Sequence, residues 1–126
     1  MTGKTHSAGF LALVENAKAR VRRVDIAGYV ELAGGGTEVV LVDVREESEW
    51  AAGHAQGAIH LSKGIIERDI EHLFPDKDTT LVLYCGGGYR SALAADNLRT
   101  MGYRAAISLD GGWRAWNEAG MPVTLP

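Results

Sequence analysis

The chain contains a single cysteine, Cys85, within the stretch "LVLYCGGGYRSALAADNLRTMG". An apolar run leads into it, three glycines follow, and Arg90 precedes a helix-like pattern. A strand that ends in a cysteine and passes within about one turn into a helix brings the thiol near backbone N–H groups without internal partners. The positive end of the helix dipole lies there too. Gly86, Gly87 and Gly88 tolerate positive φ, so consecutive N–H groups can converge as an anion-binding nest. A thiol facing such a nest is expected as the thiolate, the nucleophilic form. Glycines also leave the approach to sulfur open, and Arg90 adds a fixed positive charge. The plainer reading is a cysteine packed as a small buried hydrophobe. Such a thiol has no use for three glycines and an arginine behind it.

Other residues at the same sheet edge carry two readings. Asp43 and Arg45 end the strand in "EVVLVDV" and precede the charged cluster "REESEW". They either shape the pocket floor and bind an anionic substrate, or form a local ion pair or a cap for the next helix. Tyr89 either lines the pocket mouth or faces solvent. His54 reads as ordering a turn, and Trp50, Trp113 and Trp116 as packing in the core. His6, His54, His60 and His72 have no ligand-like spacing with Cys85, so neither a metal nor another cofactor is called for.

The elements that must position these residues follow from apolar periodicity. Phe10, Leu13, Val14, Ala17 and Val21 predict an N-terminal helix over residues 10–23, packed on the domain. Val24 begins a short strand, and Asp25 caps a helix over "IAGYVELA" that stops at three glycines. "EVVLVDV" and "TTLVLY" read as buried strands, the second running straight into Cys85. "KGIIERDIEHLF" is a helix with Ile65, Ile66, Ile70 and Leu73 inward, halted by Pro75. "SALAADNLRTMG" is a helix with Ala94, Ala95, Leu98 and Met101 on one side. "RAAISL" is a last core strand, "GGWRAWNEAG" a short helix and "MPVTLP" a tail. Alternating strands and helices imply a mostly parallel α/β sheet covered on both faces, with ligands at the C-terminal edge of the strands.

Composition narrows the classes. At 126 residues and 46% hydrophobic, the chain fits one domain with one core. We expect residues 1–23 to be a tail and packed helix, and residues 24–126 the single domain. A formal net charge of −3 gives no basic footprint for nucleic acid. Apolar runs such as "FLALV" are too short for a membrane span, and Glu15 with its basic followers argues against a secretory signal. One cysteine excludes an internal disulfide, so the expected compartment is the cytoplasm.

Three stretches together carry a family resemblance. "LYCGGGYRSALAADNLRTMGY" resembles the active-site loop and following helix of the rhodanese (sulfurtransferase) family. "VDVREESEWAAGHAQGAIHL" resembles the family's upstream signature, and "LDGGWRAWNEAGMPV" its C-terminal Gly-Gly-x-x-x-Trp signature. They fall in the family's order and cover roughly residues 24–123. The resemblance implies a five-stranded rhodanese-like α/β domain in which Cys85 accepts a sulfane sulfur as a persulfide. Residues 86–90 would cradle the outer sulfur. The partners it implies are a small sulfur-containing donor and a thiol or cyanide acceptor, or a partner protein in either role.

Within that fold the rival is a phosphatase or arsenate reductase, whose loop is one residue longer between cysteine and arginine. Here four residues, Gly86, Gly87, Gly88 and Tyr89, separate Cys85 from Arg90, the sulfurtransferase length. Non-catalytic binding or regulatory modules of the family usually lose the cysteine, which this chain keeps. Thiosulfate-using two-domain relatives carry basic residues directly after the cysteine. Mercaptopyruvate-using ones carry Cys-Gly-x-Gly. The sequence "CGGG" is nearer the second, and small persulfides or a protein persulfide stay in view as donors.

Overall fold

A computed structural model describes residues 5–126. Helix α1 (Ala8–Arg20) buries Val14 and Ala17 on one face and carries Lys18 and Arg20 in its last turn, where cations complement the dipole. Val21 already has extended backbone, so the chain enters β1 (Arg22–Val24) at once, and Val24 is the last residue of that strand rather than its first. The Asp25 side chain accepts a hydrogen bond from Gly28 N at 2.8 Å and starts α2 (Ile26–Ala33), which stops at the glycine run.

The valine-rich β2 (Val39–Asp43) leads to α3 (Glu47–Ala51), followed by the two-residue strands β3 (His54–Ala55) and β4 (Ile59–His60). Then come α4 (Ile66–Leu73), β5 (Thr80–Tyr84), α5 (Tyr89–Thr100), β6 (Ala106–Leu109), α6 (Gly112–Glu118) and β7 (Val123–Thr124). The main sheet has the order β1-β6-β5-β2-β4, with every pair parallel. It is the five-stranded sheet of an α/β fold, flanked by helices.

Side chains alternate across this sheet with period two and build a core on each face. Val42, Leu81 and Leu83 meet Ile66 and Ile70 of α4 and Leu98 of α5 on one face. Leu41, Val82, Tyr84 and Ile107 meet Trp116 of α6 on the other, with the half-buried Tyr29 of α2 against them. Each fully buried aliphatic side chain contributes about 1.5–3 kcal/mol of transfer free energy, which fixes the register against a one-residue slip. That register pairs Asp43 with Tyr84, so β2 and β5 end side by side and deliver Val44 and Cys85 to one edge.

Two local expectations are corrected. Leu73 is 54% exposed rather than inward, because Phe74, which follows the last turn of α4, packs on the core instead. The C-terminal "MPVTLP" is more than a tail: its Val123–Thr124 pairs antiparallel with His54–Ala55. In addition, α5 begins at Tyr89, two residues before the sequence pattern suggests. Among the described residues, no helix is long and apolar enough to cross a membrane.

Candidate active site

β5 carries Cys85 to the sheet edge, where its Sγ accepts hydrogen bonds from Gly88 N at 3.1 Å and Ser91 N at 3.4 Å. Gly88 caps α5 in the left-handed conformation, φ 99°, which a side chain would resist. Ser91 lies in the first turn of α5, so its N–H has no partner within the helix and is free for sulfur. The Ser91 hydroxyl is 3.6 Å from Sγ and 2.9 Å from the Ser108 hydroxyl on β6, and both serines are fully buried. Cys85 itself is 1% exposed and lines a cavity.

That cavity has a volume of about 820 Å³. Cys85, Gly86 and Gly87 line it, together with Tyr89, Arg90 and Glu49. Side-chain-free positions at Gly86 and Gly87 keep the sulfur reachable. The loop's outer wall depends on a second glycine pair. Gly111 and Gly112 both have positive φ, 76° and 50°, and a Cβ on Gly112 would lie 2.2 Å from the Cys85 carbonyl oxygen. The close approach lets Trp113 N donate to that oxygen at 2.7 Å and Arg114 N to Gly86 O at 3.2 Å. The loop carbonyls are thus satisfied by α6, and the amides of Gly88 and Ser91 serve the sulfur.

Arg90 makes a two-point pair with Glu49, at 2.8 and 3.0 Å. Glu49 also accepts from Glu46 N at 3.0 Å. The Arg90 hydrogen bonds, ahead of every other cause, hold the Glu49 carboxyl down at about 2. In return Glu49 holds the Arg90 guanidinium above its ordinary range, with the charge of Cys85 adding to the effect. Arg90 therefore reaches the cavity already partnered, a charge shared between thiol and carboxylate.

Asp43 and Arg45 are not among the residues that line the cavity, and of their two readings they form the local ion pair. Both are buried and pair with each other at 2.8 Å. Tyr84 Oη donates to Asp43 Oδ2 at 2.7 Å, and Arg45 Nη2 donates to Gly53 O at 2.7 Å. The Arg45 guanidinium lies 4.6 Å from the centre of the Trp113 ring. Burial, reinforced by the bond to Asp43, holds the Tyr84 phenol well above its ordinary value. A charge pair this enclosed braces the ends of β2 and β5 and has no free face for a ligand. His54 stacks on Trp50 with centroids 3.4 Å apart, beside the same network.

Tyr89 does line the cavity. So do residues that the sequence pattern did not assign to the site: His6, Phe10, Glu46, Glu49 and Arg114. Glu49 had a legible signal, three residues after Glu46 at a helix start, a capping spacing. Gly111-Gly112 was legible as a signature but not as the residue pair against which the cysteine loop closes.

A parallel α/β domain with a cysteine at the C-terminal sheet edge, cupped by helix-start amides, defines a class of thiol-bearing anion sites. The rhodanese-like domain model matches residues 27–119, and the chain belongs to that family. A sulfurtransferase from Allochromatium vinosum is 31% identical over 106 residues, covering 84% of this chain and 97% of the relative. The polysulfide-sulfur transferase homodimer of Wolinella succinogenes superposes with a TM-score of 0.78 at 29% identity, over 93% of this chain and 88% of that one. A protein of unknown function from Rhodopseudomonas palustris, described as a possible tyrosine phosphatase, superposes with a TM-score of 0.83 at 29% identity. That superposition covers 98% of this chain and all of the other.

Proposed function

We propose that the chain is a sulfurtransferase that carries a sulfane sulfur as a persulfide on Cys85. The observation that supports this most is the pair of amides, Gly88 N and Ser91 N, on the Sγ of a cysteine that lines an open cavity. In the first step the Cys85 thiolate attacks the outer sulfur of the donor. The donor's bond to that sulfur breaks, and its electron pair leaves with the remaining fragment: sulfite from thiosulfate, a thiolate from an organic persulfide, the enolate of pyruvate from mercaptopyruvate. The persulfide sulfur extends into the cup made by residues 86–90, where converging N–H dipoles stabilise its charge. In the second step a thiolate or cyanide acceptor attacks that outer sulfur, and the pair returns to Cys85 as thiolate. The protein is a covalent carrier between two half-reactions.

The reading is tested by thiocyanate formation from thiosulfate or an organic persulfide with cyanide. The parent should turn over, and Cys85→Ser should fall to background. Equal turnover by Cys85→Ser would remove Cys85 from the mechanism.

A further inference from the structure

The N-terminal helix contributes to the cavity although it lies outside residues 27–119, the part that matches the family model. Phe10 of this helix and His6, just before it, meet Tyr89 at the cavity wall. His6 lies edge-on to the Tyr89 ring with centroids 4.7 Å apart, Phe10 edge-on at 6.2 Å, and the two are 5.2 Å from each other. The Lys18 ammonium lies 4.9 Å from the centre of the same tyrosine ring. The helix is anchored on α5 by buried Val14 and Ala17 and by the Arg20–Asp96 pair at 2.7 Å. It therefore fixes Tyr89 and adds an aromatic wall to a site whose sulfur needs none.

Arg114 lines the same cavity, with Nη2 4.0 Å from where a Cβ on Gly87 would stand. Among the described residues its guanidinium has no carboxylate or carbonyl partner, whereas Arg90 is taken up by Glu49. A volume of about 820 Å³ is in the range that encloses drug-sized organic molecules, far more than an inorganic thiosulfate ion fills.

Building on the sulfur-transfer reading, we infer that the donor is an organic persulfide that bears a carboxylate. Its body lies against His6, Phe10 and Tyr89, its carboxylate on Arg114, and its outer sulfur at Cys85. In the transfer, the outer sulfur of R–S–SH bonds to Cys85 Sγ, the donor S–S bond breaks, and the electron pair leaves on R–S⁻. The proton stays on the transferred sulfur or passes to water, and no other oxidant or reductant takes part. Arg114 then selects the donor by two parallel charge-assisted hydrogen bonds, which a lysine at that place would not form.

The test compares persulfides of 3-mercaptopropionate and of 2-mercaptoethanol, which differ chiefly in the carboxylate, on the parent, Arg114→Gln and Phe10→Ala, with each variant's melting checked. Arg114→Gln should raise KM for the carboxylated donor about tenfold more than for the hydroxyl donor. Phe10→Ala should raise KM several-fold for both. An independent readout needs no sulfur transfer: the ratio of Cys85 alkylation rates by iodoacetate and by iodoacetamide should fall several-fold in Arg114→Gln. If the parent is loaded with sulfur but neither ratio responds to Arg114, the donor inference fails alone. If the parent takes sulfur from no donor, the sulfurtransferase reading fails and carries this inference with it.

Discussion

Arg90 and Glu49 face each other as a two-point pair at the cavity rim, Nη1 to Oε1 at 2.8 Å and Nη2 to Oε2 at 3.0 Å. Arg90 lies in the first turn of α5, directly after the cysteine loop, and Glu49 belongs to α3, so the pair ties the start of α5 to the helix after β2. Its electrostatics are readable as pH-dependent stability. The folded carboxyl is held at about 2, below an unfolded value of about 4.3. The folded state thus binds fewer protons, and the contribution is complete above the unfolded value and lost as pH falls towards 2. Both side chains are about one-third exposed, 31% and 36%, so solvent limits the effect to within about 1 kcal/mol. Glu49→Gln should cost up to that amount at neutral pH in urea unfolding, and the difference from the parent should vanish near pH 2. A difference constant across that range would contradict the assignment.

The buried pair beneath the site should behave differently. Arg45→Ala leaves the Asp43 carboxylate without its cation and Gly53 O without its donor. The expected loss is about 3–5 kcal/mol in chemical unfolding, the range for breaking a buried pair from one side. A loss below about 1 kcal/mol combined with a large rise in KM would return Arg45 to the substrate.

The same network shows where sequence reading stops. The central strands β2, β5 and β6, the Asp25 cap and the position of Cys85 at a sheet edge were legible, because β-branched runs and glycine punctuation are local signals. Whether Asp43 and Arg45 face a ligand or each other was not, since both outcomes place the same residues at the same strand ends. Burial by Trp113 and Tyr84, distant in sequence, decides it. Pairing of Val123–Thr124 with His54–Ala55 was equally illegible, being two residues long on each side and set by contacts across the chain. The share of α1 in the cavity belongs to the same class: its apolar face predicts packing but not what it packs beside.

Gly112→Ala tests the closure of the cysteine loop on α6. The added Cβ would stand 2.2 Å from Cys85 O at φ 50°, so the loop or the start of α6 must move. Displacement of the sulfur by even a fraction of an ångström should lower kcat/KM for sulfur transfer at least about tenfold, with Cys85 still present. Unchanged kcat/KM would mean that the Trp113 N–Cys85 O contact does not position the thiol.

Loop length should keep the site from acting on phosphate esters. The transition state of an aryl phosphate spreads charge over several oxygens, each needing an inward donor. The four residues between Cys85 and Arg90 form a cup suited to one sulfur atom. The parent should not turn over aryl phosphates, and one glycine inserted between Gly88 and Tyr89 should weaken sulfur transfer. Efficient aryl phosphate turnover by the parent, dependent on Cys85, would instead align the chain with the description given to its Rhodopseudomonas palustris neighbour.

The central claim is that Cys85 carries the sulfur, and intact-mass measurement reads it directly. The protein is incubated with thiosulfate, mercaptopyruvate or an organic persulfide, freed of donor, weighed, and weighed again after cyanide. The account predicts a gain of one sulfur atom with at least one donor, mapped to Cys85, removed by cyanide and absent from Cys85→Ser. No gain with any donor, or an equal gain in Cys85→Ser, would contradict it.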